Sequence, residues 1–330
     1  MIHYWYQAFR GFYPRENPPR DFVSRFLFSA RSIILVISAQ AAAIAGLMAL
    51  LDGRFNVLRF SLVLIALVSL HAVSNLSNDY FDFRRGRDTP DSPRRKYTLH
   101  PIADGVMSGR QVMASISVLV AMDLAIALLL VHFAGPWVLA YAFAGMTLLI
   151  LYDATPVSLK EIGLGELASF VVWGPLMVSG GYLAITGHFS GGALVASLPY
   201  GLGVMSVLLG KHIDQAEFDK AHGIHTLPVL LGDRPSRWLG IGMIVAMYAT
   251  VLLAVAAGVL PWPMLLVVVN AKRLWQAVTV FAAPRPESPP PGHVGWPLWY
   301  HRYALRHNRS FGWIYIAALL IAVLYGRVPQ

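Results

Sequence analysis

The stretch "SNLSNDYFDFRRGRD", residues 74–88, places amide and carboxylate side chains at short intervals at the end of a long apolar run. If the run continues as a helix, residues three or four positions apart share one face. That face carries His71, Asn75, Asn78, Asp79 and Asp82. Carboxylate and amide oxygens are hard ligands that suit Mg²⁺, which completes its shell with water and phosphate oxygens. The stretch therefore predicts a Mg²⁺ site for a phosphorylated ligand.

A second acidic cluster lies in "GKHIDQAEFDKAHGIHTLPVLLG", residues 210–232, where Asp214, Glu217 and Asp219 fall within six positions. Basic residues that suit a phosphate group, among them Arg94 and Lys96, follow the first cluster. Two acidic clusters on one membrane face, with basic residues nearby, predict a diphosphate held by two or more Mg²⁺ ions.

The composition indicates that these clusters belong to a membrane protein. Hydrophobic residues make up 56% of the chain and charged residues 13%, whereas soluble domains carry about 25% charge. A spanning helix needs roughly 20 apolar residues, and nine segments approach that length. They lie near 30–51, 57–76, 111–132, 135–152, 167–186, 192–210, 237–258, 261–281 and 310–326. The sequence predicts an all-α integral membrane protein of nine transmembrane helices, without cysteine for disulfides or thiolate metal sites.

The basic residues predict the orientation. If nine helices alternate, 23 of the 26 Lys and Arg residues lie on the side of the N-terminus. The positive-inside rule places that side in the cytoplasm. We therefore expect a cytoplasmic N-terminal segment (1–30) and a membrane domain (31–330) with cytoplasmic loops at 77–110 and 211–236. This arrangement favours a cell inner membrane and its lipid bilayer, and not nucleic acid, as the partner of the positive charge.

Both acidic motifs resemble the UbiA superfamily of intramembrane prenyltransferases. That family has an Asn-Asp-x-x-Asp cluster after helix 2 and a second Asp cluster after helix 6 of a nine-helix bundle. "NDYFDFRRGRD", "HPIADGVMSGRQ" (100–111) and "YDATPVSLKEIGLGELASFVVWGPLMVSGGYLAITG" (152–187) resemble the branch that prenylates 1,4-dihydroxy-2-naphthoate for menaquinone. The resemblance implies Mg²⁺-dependent transfer of a prenyl group from a polyprenyl diphosphate to a ring acceptor, such as a quinone precursor.

The resemblance also implies roles for individual residues. Catalysis would depend on Asp79, Asp82, Asp214, Asp219 and Lys160. The metal ligands would come from Asn78, Asp79, Asp82, Asp88, Asp214, Glu217 and Asp219, and the diphosphate would be bound by Lys160, Tyr152, Arg94 and Lys96. The chain departs from the family at His100, where arginine is usual, and at Gln215, where the second motif should begin with aspartate. Asp214 stands one position earlier, with Glu217 as an alternative ligand on its face.

Asp123 lies near the middle of the third predicted span, where an ionisable residue is a functional candidate. It would orient or deprotonate the acceptor, or else serve as a paired structural residue. Three other functions stay open: terpene cyclisation after the same ionisation, transfer to a non-aromatic lipid, and solute transport. A transporter should place polar residues near the midplane and on both faces. The one-sided polar chemistry favours the enzyme.

Overall fold

The computed structural model describes residues 1–11, 17–293 and 295–326, and within these ranges it contains helices and no strands. Eight described helices are long and apolar enough to span a membrane, and a ninth apolar helix, Trp137–Asp153, is shorter at 17 residues. In chain order they are α1 (Ser32–Leu51), α2 (Val57–Arg84), α3 (Gly109–Ala134), α4 (Trp137–Asp153), α5 (Gly165–Thr186), α6 (Gly191–Ala221), α7 (Asp233–Ala256), α8 (Trp262–Ala282) and α9 (Tyr300–Tyr325). The all-α membrane fold is confirmed. Residues 12–16, 294 and 327–330, parts of the predicted units 1–30 and 31–330, lie outside the described residues.

Three helices extend well beyond the apolar runs from which they were predicted. α2 continues to Arg84 and α6 to Ala221, so both acidic motifs lie on helices, and the predicted loops 77–110 and 211–236 begin as helix. A 28-residue helix is about 42 Å long, whereas the hydrocarbon core is about 30 Å thick. The acidic ends of α2 and α6 therefore belong at the edge of the bilayer. α9 begins at Tyr300, ten positions before the predicted start. The prediction began too late because the first turns of this helix are polar and do not belong to the apolar run.

The helices pack around α6, which contacts α5, α7 and α9, while α2 packs between α1 and α3. Small residues allow close approach: a Cβ on Gly174 of α5 would lie 3.2 Å from the Cα of Gly201 on α6. In α5, residues Val172–Ser179 around Pro175 are π-helical. Proline has no backbone N–H and therefore cannot donate the regular α-helical hydrogen bond. This packing joins α5 and α6 and brings the start of α5 beside the last turns of α6.

Two shorter helices, Ile2–Arg10 and Phe22–Ser29, precede α1. Arg31 joins Phe22–Ser29 to α1 and has a left-handed backbone, with φ of 56°. Among the described residues it is the one non-glycine with positive φ, a conformation that proteins keep where a site requires it. Its guanidinium reaches the acidic end of α2.

Candidate active site

The main cavity of the described structure has a volume of about 1570 Å³ and runs from the acidic end of α2 into the apolar interior. Its polar end is lined by Arg31, Asn78, Arg94, Tyr152, Asp153, Lys211 and His301. Apolar residues of α2, α3, α4 and α5 line the rest, including Leu67, Leu130, Phe143, Leu149 and Met177. The cavity therefore joins a charged end to a long apolar wall.

Asp79 is buried at this charged end, where two arginines contact it. Arg31 forms an ion pair with Oδ1 of Asp79, and Nη2 of Arg94 lies 3.3 Å from Oδ2. Burial alone would lower the pKa of Arg31, but the negative charge of Asp79 raises it above its ordinary value. Arg94, a predicted diphosphate ligand, and Arg31, which the sequence did not indicate, both line the cavity beside Asp79. Lys96, on the same short helix as Arg94, is exposed and does not line the cavity.

Asp82 lies one turn further along α2, where Lys160 links it to Asp153 at the end of α4. Nζ of Lys160 is 2.8 Å from Oδ2 of Asp82 and 2.7 Å from Oδ1 of Asp153. Asn78 donates from Nδ2 to the same oxygen of Asp153 at 2.8 Å. Burial would lower the pKa of Lys160, but Asp153 and Asp82 raise it, so the ammonium stays charged. The sequence analysis did not select Asp153. Its position could have indicated a role, because it is a carboxylate directly after Tyr152 at the end of an apolar helix.

The residues of the second motif point in different directions. Asp214 accepts backbone N–H bonds from Trp299, Tyr300 and His301 at 2.8–3.1 Å, so its carboxylate caps α9. The Glu217 side chain is 95% exposed and lies 3.9 Å from Arg285. Asp219 is buried and accepts from Thr226 at 3.2 Å.

Asp219 is the member of that motif whose contacts lead toward the loop that carries Lys160. Its hydrogen-bond partner Thr226 follows His225, whose N–H donates to the backbone oxygen of Glu161 at 3.1 Å, one residue after Lys160. Because α6 is a regular helix here, positions 214 and 219 lie about 140° apart around its axis. The loop that follows Asp219 therefore contacts the loop that carries Lys160, whereas Asp214 contacts the start of α9 and Glu217 lies beside Arg285.

Replacement of Asp214 by alanine tests this division. We expect a loss of stability of about 1–2 kcal/mol, because the N–H groups at the start of α9 lose their acceptor. Turnover per folded molecule should fall by less than about tenfold, whereas Asp219→Ala should lower it much further. Thermal unfolding and turnover of both variants provide the measurement. An equal loss of turnover in the two variants would place Asp214 in the catalytic machinery.

Two further polar pairs fix the loops around the site. His212 Nδ1 lies 2.8 Å from Oε1 of the buried Glu166, which connects α6 to the start of α5. His100 Nε2 lies 3.0 Å from Oδ2 of Asp88. His100 Nδ1 accepts backbone N–H bonds from Ile102 and Ala103, which leaves Nε2 to carry the proton of the neutral ring. Asp88, a predicted metal ligand, thus lies beside the histidine that departs from the family pattern.

Asp123 lies deep in the cavity wall on α3 and is buried. Its Oδ2 accepts from the Ser69 hydroxyl at 2.9 Å, and its Oδ1 has no hydrogen-bond partner among the described residues. Ser69 precedes Asp79 by ten positions on α2, a distance of about 15 Å along the helix. Asp123 is therefore well separated from the charged end of the cavity.

Comparison with known proteins identifies the predicted family by sequence and a matching fold by structure. A model of the UbiA prenyltransferase family matches residues 39–292. UbiA prenyltransferase domain-containing protein 1 of Dictyostelium discoideum is 25% identical over 71% of this chain and 72% of its own length. The match to the Drosophila melanogaster homolog of UbiA prenyltransferase domain-containing protein 1 covers 54% of the length of the Drosophila protein. 1,4-Dihydroxy-2-naphthoate octaprenyltransferase of Bacillus subtilis is 24% identical over 84% of this chain and 85% of its own.

The fold likewise matches a solved structure, a UbiA homolog from Archaeoglobus fulgidus bound to GPP and Mg²⁺. The TM-score is 0.60 at 13% identity, over 91% of this chain and 99% of that one.

Proposed function

The chain belongs to the UbiA prenyltransferase family, and we propose that it transfers a prenyl group from a polyprenyl diphosphate to a ring acceptor, with Mg²⁺ as cofactor. Family membership confirms the prediction of a prenyltransferase enzyme. The observation that carries the proposed reaction is the cavity: Asn78 and Asp153 stand at its charged end, and a long apolar wall continues from there. This combination fits a substrate with a diphosphate head and a hydrocarbon tail.

The donor set at the charged end suits Mg²⁺. Asn78, Asp79 and Asp82 offer amide and carboxylate oxygens from one helix, and Asp219 would add a carboxylate from α6. Among the described residues, no group of three or more acidic or histidine side chains is arranged to hold a metal ion by itself. That fits Mg²⁺, which binds through one or two carboxylates and takes its other oxygens from water and phosphate. The Archaeoglobus fulgidus neighbour, bound to GPP and Mg²⁺, also supports this cofactor.

The chain's own cations would bind the diphosphate beside the acids. Bound Mg²⁺ would supply positive charge to the leaving pyrophosphate. Arg31, Arg94 and Lys160 already lie against the same carboxylates, so their charges are in place before substrate arrives. Such preorganised charge stabilises a leaving pyrophosphate without further rearrangement. Tyr152 lines the cavity at this end and would contact the substrate beside Lys160.

The apolar wall would hold the prenyl tail and keep water from the ionised prenyl group. For the acceptor we propose a quinone precursor such as 1,4-dihydroxy-2-naphthoate, supported by the Bacillus subtilis relative. Asp123, with one oxygen free of hydrogen bonds, would contact the acceptor or orient it. The lopsided basic charge supports a cell inner membrane with the charged ends of α2 and α6 in the cytoplasm.

The decisive experiment incubates the purified protein in detergent with Mg²⁺, labelled prenyl diphosphates and a panel of acceptors. We expect a prenylated acceptor and pyrophosphate release that requires an acceptor. Chelation with EDTA should reduce turnover to background, and added Mg²⁺ should restore it, because without the metal the carboxylates repel the diphosphate. Release of pyrophosphate with a cyclic hydrocarbon and no acceptor would instead show cyclisation. Full turnover in EDTA would contradict the metal dependence.

A further inference from the structure

A row of arginines lies on α9, outside both acidic motifs. Arg302, Arg306 and Arg309 are spaced four and three positions apart, so they share one face of the helix. All three line the main cavity. Arg309 is nine positions after the start of α9 at Tyr300, about 13 Å along the axis. An arginine that far along a membrane helix is costly unless it meets an anion or water.

The inner two arginines have no acidic partner in the described part of the chain. Arg31, Arg94 and Lys160 each form ion pairs with carboxylates of the charged end. No described carboxylate lies within 4.0 Å of the guanidinium nitrogens of Arg306 or Arg309. The two sets of cations therefore differ: Arg31, Arg94 and Lys160 are paired with carboxylates, whereas Arg306 and Arg309 line the cavity without a carboxylate partner among the described residues.

The position of these arginines is fixed by α9 itself. Asp214 caps the start of the helix. Further along, Gln40 of α1 donates from Nε2 to the backbone oxygen of Arg309 at 3.1 Å. A Cβ on Gly312 would lie 2.5 Å from the Gln40 side chain, so glycine is needed for this contact. The arginine face is thus held toward the cavity by contacts that do not use the guanidinium groups.

We propose that the arginine face of α9, above all Arg306 and Arg309, binds the acid group of the prenyl acceptor, a carboxylate or a phosphate. The inference rests on the proposed function, which already assigns the acidic end to the diphosphate and the apolar wall to the tail. Guanidinium groups recognise either acid through paired N–H donors. An anionic phospholipid headgroup has the same chemistry and is the competing source.

The test compares Arg306→Gln and Arg309→Gln with the wild-type protein in nanodiscs of phosphatidylcholine. The carboxylate probe is 1,4-dihydroxy-2-naphthoate, with 1,4-dihydroxynaphthalene as its counterpart without the acid, and the phosphate probe is a monoalkyl glycerol phosphate. We expect each variant to raise the KM or the Kd of at least one acid probe by tenfold or more. The KM of the prenyl diphosphate and the binding of 1,4-dihydroxynaphthalene should stay unchanged. Arg306→Lys and Arg309→Lys should recover part of the affinity, which separates lost charge from misfolding.

Arg273→Gln is the matched control, because this arginine lies on α8, bonds to Gln276 and does not line the cavity. Binding is measured without turnover, so an inactive wild type would contradict the proposed transfer and still leave the arginine site testable. Unchanged affinity in both variants, or no binding of either acid probe to the wild type, would overturn the proposal. An effect seen only when phosphatidylglycerol replaces phosphatidylcholine would assign the arginines to a lipid headgroup and overturn it too.

Discussion

Asp79→Asn is expected to reduce turnover by about 10²–10³-fold, the loss typical when one charge-stabilising group is removed from an active site. Asparagine keeps the shape of the side chain but removes the charge that offsets Arg31 and Arg94. The buried guanidinium of Arg94 and the partly buried one of Arg31 would then lack their counter-ion, so the thermal midpoint should fall as well. Asp79→Glu keeps the charge and should recover the midpoint, while the displaced carboxylate leaves turnover low.

Asp91→Asn is the matched control for Asp79, since Asp91 is exposed on the connection after α2. Its turnover and midpoint should equal those of the wild type. The measurement is kcat per folded protein, with Mg²⁺-dependent binding of the prenyl diphosphate determined separately. Wild-type turnover in Asp79→Asn would remove this carboxylate from the chemistry, whatever the effect on stability.

The second large effect is expected for Lys160→Met. This change leaves Asp82 and Asp153 without the ammonium that lies 2.7–2.8 Å from both. Breaking a buried ion pair from one side costs about 3–5 kcal/mol. If Lys160 also binds the diphosphate, its loss should raise the KM of the prenyl diphosphate and lower kcat.

The double variant Lys160→Met/Asp153→Asn separates these two roles. Removing the second charge takes away one unpaired carboxylate, so part of the lost stability should return, as a thermal-unfolding cycle would measure. Turnover should stay low, because no cation replaces Lys160 at the diphosphate. If turnover returned along with stability, Lys160 would serve only to neutralise Asp153, and its proposed contact with substrate would be wrong.

Much of the architecture was predictable because membrane helices obey local rules. Apolar runs of about 20 residues predict the spans, and spacing of three and four predicts that Asn78, Asp79 and Asp82 share a face. Both signals depend on neighbours in sequence alone. The ends of the helices were less predictable, since α2, α6 and α9 continue as helices through polar residues whose partners lie elsewhere in the chain.

The partners of the predicted acids depended on long-range packing. Arg31 lies 48 positions from Asp79, and Lys160 lies 78 from Asp82; no local periodicity connects such residues. The same holds for Asp153, which reaches the site because α4 ends beside α2.

The sequence by itself thus determined the membrane class, the family and the first acidic motif. Only the tertiary structure decided which partners the acids of the second motif contact. A five-residue spacing turns Asp214 toward the start of α9 and Asp219 toward the loop that carries Lys160, because helix rotation is local but the neighbours it selects are not. It also brought the arginines of α9 into the same cavity, although nothing near them in sequence marks them as part of a site.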